Sequence, residues 1–345
     1  MQIVYEKLQD IHPDIVNGGL VDNIDKAFEA GKLFRSEDVN IIFLYVATYA
    51  LSSNVLPVVK KCGVPVIILN LTPGAAIDYE QFNSLNDRTK MTAEWLAHCS
   101  SCAVPEVANV FKRTGVRFFQ VTGILEGDAR CWTEVREWIE AAKVSNTMFY
   151  NRLGCMGHYY SGMLDVYTDL PLPKGVFGGS IEIIEVDELS SIRSQVGQQA
   201  VINRVSDFYK HFEITKGTSD AELQRAAKTS LALDRLVENY GLGSFAYYYK
   251  GVGSAVNEDT MSSIILGASL LTERGVPVAG EYEVKNVQAM KIMDCFGAGG
   301  SFTEYYALDF KEDVVLMGHD GPGHIKIAEG KIKVRPLQVY HGKVG

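Results

Sequence analysis

Cysteine is scarce in this 345-residue chain, with six residues at Cys62, Cys99, Cys102, Cys131, Cys155 and Cys295. So few in a chain of this size build no disulfide framework, and they read as free thiols in a reducing compartment. The one C-x-x-C, Cys99-Ser100-Ser101-Cys102, lacks the second pair that a four-cysteine zinc site needs and reads as packing at a helix end. Long apolar runs are missing as well. Met1-Gln2-Ile3-Val4-Tyr5-Glu6-Lys7 has no sustained hydrophobic region of a secretory signal, and no stretch is long enough to span a bilayer. The expectation is a cytoplasmic protein without a membrane partner. No long run of Lys and Arg occurs, and a formal net charge of -9 argues against an extended nucleic-acid footprint. Phosphate loops are absent too. Gly251-Val252-Gly253-Ser254 and Gly297-Ala298-Gly299-Gly300 fit neither G-x-G-x-x-G nor G-K-[ST], and they read as hinges or tight turns.

What is present is a folded, globular composition, 47% apolar and 22% charged. The length exceeds one ordinary core and predicts two domains with part of a third. Short β-rich runs alternate with amphipathic stretches, the pattern of parallel strands joined by crossover helices. In the first part, strands are expected at 15–21, 40–46, 64–69 and 116–121, with helices at 23–34, 87–98 and 128–142. In the second, strands are expected at 148–153, 181–186, 245–249 and 276–280, with helices at 158–166, 187–196, 220–240, 258–274 and 284–294. Beyond Gly300 the texture changes to strand-like segments at 301–310, 313–318, 324–328 and 331–339, an antiparallel region. The predicted class is therefore α/β: doubly wound parallel-sheet domains at 1–146 and 147–298, then a short antiparallel β segment at 299–345.

Carboxyl ends of parallel strands gather along one edge, where ligands bind. Read to their ends, the second set of strands lands on Gly157-His158, Glu185, Tyr249-Lys250 and Gly280-Glu281. Two further pieces place chemistry beside glycine or at the edge of an apolar run: Ser301-Phe302-Thr303-Glu304 and Gly318-His319-Asp320-Gly321-Pro322-Gly323-His324. Two carboxylates and an imidazole suit a divalent ion such as Mn²⁺, which accepts oxygen and nitrogen and leaves positions open for substrate. The candidate ligands are Glu281, Glu304 and His319, with Asp320 and His324 as alternatives to the imidazole; His158, Tyr249 and Lys250 are candidate substrate contacts.

Those blocks, Gly280-Glu281, Ser301-Phe302-Thr303-Glu304 and Leu316-Met317-Gly318-His319, resemble the metal-binding segments of the L-arabinose isomerase and L-fucose isomerase superfamily. The resemblance extends through Val121-Thr122-Gly123, Met163-Leu164-Asp165-Val166 and Ile183-Ile184-Glu185, and it points to the arabinose-isomerase-like branch. It implies an aldose–ketose isomerase that uses Mn²⁺ or another divalent cation and works on a pentose or 6-deoxyhexose through an enediol. Two α/β domains would precede an antiparallel barrel, of which this chain carries only the opening. Homo-oligomers, trimers or hexamers, would share sites between subunits. Glu281 and Glu304 would be both ligands and proton-transfer groups, and His319 the first imidazole ligand. The branch's later histidine ligand has no counterpart here, since His341 sits too early. The rival expectations are a two-lobed sugar-binding module without a metal and a degenerate family member kept for assembly.

Overall fold

The run Val66-Ile67-Ile68-Leu69-Asn70-Leu71 is apolar at almost every position, which suits a strand with no water on either face. In the computed structural model, which describes residues 1–250 and 253–336, it forms the middle of a parallel sheet ordered β1 (Ile42–Tyr45), β2 (Val66–Thr72), β3 (Phe118–Ile124). Successive side chains on a strand alternate between faces. Val66 and Ile68 accordingly enter one core with Ala27, Val58, Val107 and Phe111, from helices Ile24–Ser36, Ser52–Lys60 and Ser100–Thr114. Ile67, Leu69 and Leu71 enter a second core with Val4, Leu8 and Val135, from helices Gln2–Ile11 and Ala129–Tyr150. Each fully buried aliphatic side chain contributes about 1.5–3 kcal/mol, so β2 anchors both cores.

The chain divides into two compact units, residues 1–143 and 144–345, and the segment from residue 299 onward belongs to the second. The strands of that unit are β4 (Arg152–Met156), β5 (Ser180–Ile184), β6 (Glu213–Ile214), β7 (Ser244–Tyr247), β8 (Val278–Ala279), β9 (Glu304–Asp309), β10 (Val314–Gly318) and β11 (Lys333–Val334). Four of them form an all-parallel sheet in the order β5-β4-β7-β8. The chain runs outward from β4 to β5 and then returns to the other side of β4 for β7, which leaves a crevice above the carboxyl ends of β4 and β7. Met156, Ile184, Phe245 and Val278 face a core built by helices Val186–Ser194, Gln198–His211, Asp220–Tyr240 and Ile265–Glu273. Leu153, Cys155, Ala246 and Ala279 face Val287 and Met290 of helix Val284–Cys295, together with Tyr282 and Phe302.

Several expected elements differ. Residues 15–21 form no strand: the Asn17 side-chain oxygen accepts the Gly19 N–H at 2.9 Å, and Gly19 is left-handed at φ +76, a turn that competes with extended pairing. The helix expected at 158–166 shrinks to a single 3-10 turn, Leu164–Val166, because Gly157 and Gly162 adopt φ +89 and +94. The helix expected at 258–274 is two, Ala255–Met261 and Ile265–Glu273. At the break, the Ser262 hydroxyl donates to the Asp259 carbonyl and the Ser263 hydroxyl to the Thr260 carbonyl, local bonds that compete with helical ones. The strand expected at 148–153 starts later because helix Ala129–Tyr150 continues to its edge.

Beyond Gly300, β9 and β10 pair antiparallel, whereas 324–328 holds a 3-10 turn and β11 pairs parallel with β6. Residues 337–339 of the expected last strand, and Gly251 and Val252 of the first glycine loop, lie outside the described residues. All six cysteines are free, and burial pushes the Cys99 thiol up to about 11. No helix among the described residues is long and apolar enough to cross a membrane.

Candidate metal centre

Strand β8 stops at Ala279, and the chain then turns sharply through two adjacent side-chain-bearing residues in the left-handed region, Glu281 at φ +59 and Tyr282 at φ +63. Such a conformation costs roughly 1–2 kcal/mol per residue and persists only where the surroundings enforce it. Here the Tyr282 N–H donates to the carbonyl of Tyr247, the last residue of β7, at 2.8 Å, and the Glu283 N–H donates to the Gly280 carbonyl at 3.0 Å. The Tyr282 ring is buried and packs edge-on against Tyr159 at 4.6 Å. The turn thereby holds the Glu281 carboxylate at the carboxyl edge of the sheet.

The β9–β10 hairpin supplies the other two groups. Glu304 opens β9 and pairs in register with Gly318, which closes β10, so Glu304 and the next residue, His319, meet at the base of the hairpin. Buried Phe302 packs its ring 4.2 Å from that of His319 and fixes the imidazole from one side. The result is a half-buried group in which a carboxylate oxygen of Glu281, a carboxylate oxygen of Glu304 and a ring nitrogen of His319 all lie within 4.8 Å of one another. Among the described residues, it is the one set of three or more such groups that meets this geometry.

Burial raises the Glu281 carboxyl above its ordinary range, and the charges of Glu304, Glu283 and Asp165 push the same way. Burial lowers His319, and the nearby charges of Glu304 and Asp320 oppose that shift. Both ring nitrogens of His319 are covered and neither has a hydrogen-bond partner; the same holds for one oxygen of Glu283, whose other oxygen accepts from Asn286 at 2.8 Å. A neutral imidazole beside two carboxylates, with its nitrogens covered and unsatisfied, is the donor set that a divalent cation completes. An ion about 2.1 Å from each donor would set adjacent donors about 3.0 Å apart and opposite donors about 4.2 Å apart. The 4.8 Å spread is slightly wider, within reach of small carboxylate rotations.

The structure separates the remaining candidates. Asp320 is exposed and acts on His319 through its charge but is not in the group. His324 is buried elsewhere: its backbone N–H donates to the Ser301 hydroxyl at 2.7 Å, and its ring fills the space that a side chain at Gly299 would occupy. His158 follows β4 at the crevice, with its ring 4.3 Å from that of Tyr248; its Nδ1 donates to the Tyr159 carbonyl at 2.8 Å, which leaves Nε2 outside that bond. Tyr249 is half-buried beside Tyr248 and Tyr160, and burial, followed by bonds to these two tyrosines, raises its hydroxyl well above the phenol range. Lys250 is exposed at the end of the same segment. His158 and the metal group are linked through their neighbours, since Tyr159 packs on Tyr282. Glu283 and Asp165, not singled out from the sequence, both bear on the charge of Glu281. The spacing Glu281-x-Glu283 was the available signal for the first; for Asp165 it was its place in the resembling segment Met163-Leu164-Asp165-Val166.

The sequence matches no protein-family model and no curated protein.

Proposed function

We propose that this chain is a metal-dependent aldose–ketose isomerase acting on a pentose or a 6-deoxyhexose, of the kind found in the L-arabinose and L-fucose isomerase superfamily. The observation that carries the reading is the convergence of Glu281, Glu304 and a covered, unpartnered His319 from three separate segments. In this reading the two α/β regions are doubly wound domains, and the β9–β10 hairpin opens a barrel-type region.

Glu281, Glu304 and His319 would hold Mn²⁺ or another divalent cation, which when bound supplies Lewis-acid polarisation to the sugar's C1 and C2 oxygens. The residues carry the protons. Isomerisation takes a proton from C2 of the open-chain aldose and delivers one to C1, while the hydroxyl proton passes from O2 to O1. Glu281, held at the carboxyl edge of the sheet, would take the first of these protons. Glu304 would return a proton to C1. His158, through Nε2, and the Tyr249 hydroxyl would orient the sugar's outer hydroxyls from the crevice, with Lys250 at its rim.

The hairpin supports the further proposal that the protein works as a homo-oligomer, trimeric or hexameric, with sites shared between subunits. Tyr305 and Phe310 are 76% and 90% exposed, and Leu308, Val314 and Leu316 are exposed beside them. A two-stranded ribbon this apolar is marginal in water without a cover.

The test is turnover of pentoses and 6-deoxyhexoses by metal-replete protein. Glu304→Gln is expected to lower kcat by about 10²–10⁴-fold, the range of a lost general acid–base group, while wild-type turnover in that variant would refute the mechanism. Calorimetry separates the metal-free sugar-binding alternative, which predicts no Mn²⁺ affinity to be lost in Glu281→Ala.

A further inference from the structure

A second space in residues 144–345 lies away from the two carboxylates. Beside the amino-terminal halves of helices Asp220–Tyr240 and Ile265–Glu273 is a cavity of about 290 Å³. Its walls are largely apolar, from Phe212, Leu223, Ala226, Ile265, Leu266 and Val334. His319 lines it, whereas Glu281 and Glu304 do not, so the cavity meets the metal group only through the imidazole.

The polar groups on its wall fall into two sets. One set is satisfied by the chain: Ser262 accepts from Arg225 at 2.8 Å, Ser263 bonds Thr229 at 2.7 Å, Ser269 accepts the Gly323 N–H at 3.1 Å, and Glu222 pairs with Arg225 at 2.7 Å. The other is not. Thr218 Oγ1 and both His319 ring nitrogens are covered and have no partner. A metal ion takes one imidazole nitrogen and leaves the other, which in metal sites regularly donates to an oxygen acceptor. Lys333 and Arg335, also on the lining, have no ion pair among the described residues and outnumber the one unpaired carboxylate there, Asp320.

The space is partly open to solvent, so water enters it, but waters against its apolar walls find few of the two to four polar partners each needs and are readily displaced. A sugar is a poor occupant, because the walls are apolar and the serines are already used. The geometry points to a short-chain monocarboxylate, whose carbon body fills the apolar walls. Its carboxylate would accept from the Thr218 hydroxyl and an imidazole N–H, both covered in the unliganded chain and reached by a turn of those side chains toward the cavity. The exposed Lys333 and Arg335 balance its charge from the rim. Binding itself does not require the metal. Where the metal reading holds, the shared imidazole makes the two sites cooperate: a carboxylate accepting from the outer nitrogen orients the ring and strengthens the inner nitrogen as a ligand.

The test is calorimetric titration with isovalerate in EDTA, followed by the same titration with Mn²⁺ present. Saturable one-to-one binding is expected, about tenfold weaker for isoamyl alcohol and about tenfold weaker in Thr218→Val, the effect of one lost hydrogen bond to a charged group. Thr218→Val keeps the side-chain shape and removes a covered hydroxyl with no partner in the chain, so its urea midpoint should be at least that of wild type. Absence of saturable isovalerate binding, or equal affinity for the alcohol or in the natively folded variant, would overturn the proposal. With Mn²⁺, isovalerate and metal should raise each other's affinity by one common factor. Binding of isovalerate by a protein that takes up no Mn²⁺ would keep this site and remove the isomerase reading, while the reverse result would do the opposite.

Discussion

Glu281 meets several unfavourable demands at once. Its backbone is left-handed, its carboxylate is half-buried, and three further acids bear on it. Its folded-state pKa lies above the ordinary value of 4.5, so between the two values the folded protein binds more protons than the unfolded chain. Stability is therefore lost as pH rises through that window and is lowest above it. In EDTA, Glu281→Gln should be more stable than wild type near neutral pH, and the difference should vanish below the ordinary carboxyl range; urea midpoints across pH check this. A variant less stable at neutral pH would mean that the carboxylate is held by partners rather than penalised. The candidacy of this residue as a ligand was legible from its place after an apolar run. Its conformation was not, because neither Glu nor Tyr announces a positive φ as glycine or asparagine does. Nor did residue type separate His319 from Asp320 and His324. That choice is made by the register of β10 against β9, which includes a bulge between Leu316 and Met317.

At the level of elements, legibility followed punctuation. Helix Asp220–Tyr240 was readable to its ends because Ser219 accepts the Glu222 N–H at 3.2 Å and Gly241 closes the helix at φ +62. Helices Ser52–Lys60 and Ser100–Thr114 were not legible; each contains a proline, which reads as a breaker. Packing between elements is also testable. A side-chain carbon at Gly267 would come 2.7 Å from Ser230 Cα, a backbone contact that cannot yield unless helices Asp220–Tyr240 and Ile265–Glu273 separate. Gly267→Ala should therefore cost about 1–3 kcal/mol despite its better helix propensity, measured by equilibrium unfolding, whereas a neutral or stabilised variant would contradict the packing. For the β9–β10 hairpin, Leu308→Glu changes a side chain that is already exposed in the single chain. It should leave folding intact yet shift sedimentation toward monomer; an unchanged sedimentation profile would remove the hairpin from the assembly surface.

For the whole molecule, the metal is part of the folded state in the proposed reading. A cation bound only by native protein adds about 2.7 kcal/mol at a hundredfold excess over its Kd. Mn²⁺ should thus raise the thermal midpoint of wild type, EDTA should reverse the rise, and both effects should disappear in Glu281→Ala. The α/β class, and the gathering of strand ends along one edge, could be read from alternating apolar runs. The closeness of residues 281, 304 and 319 depends on pairing between distant segments, which single-chain patterns do not specify. The most direct test is anomalous scattering at the manganese edge from a crystal grown with Mn²⁺. One strong peak is expected within bonding distance of a carboxylate oxygen of Glu281, a carboxylate oxygen of Glu304 and a ring nitrogen of His319. No peak there, or one held by other carboxylates while these three side chains stay apart, would contradict the proposed metal centre.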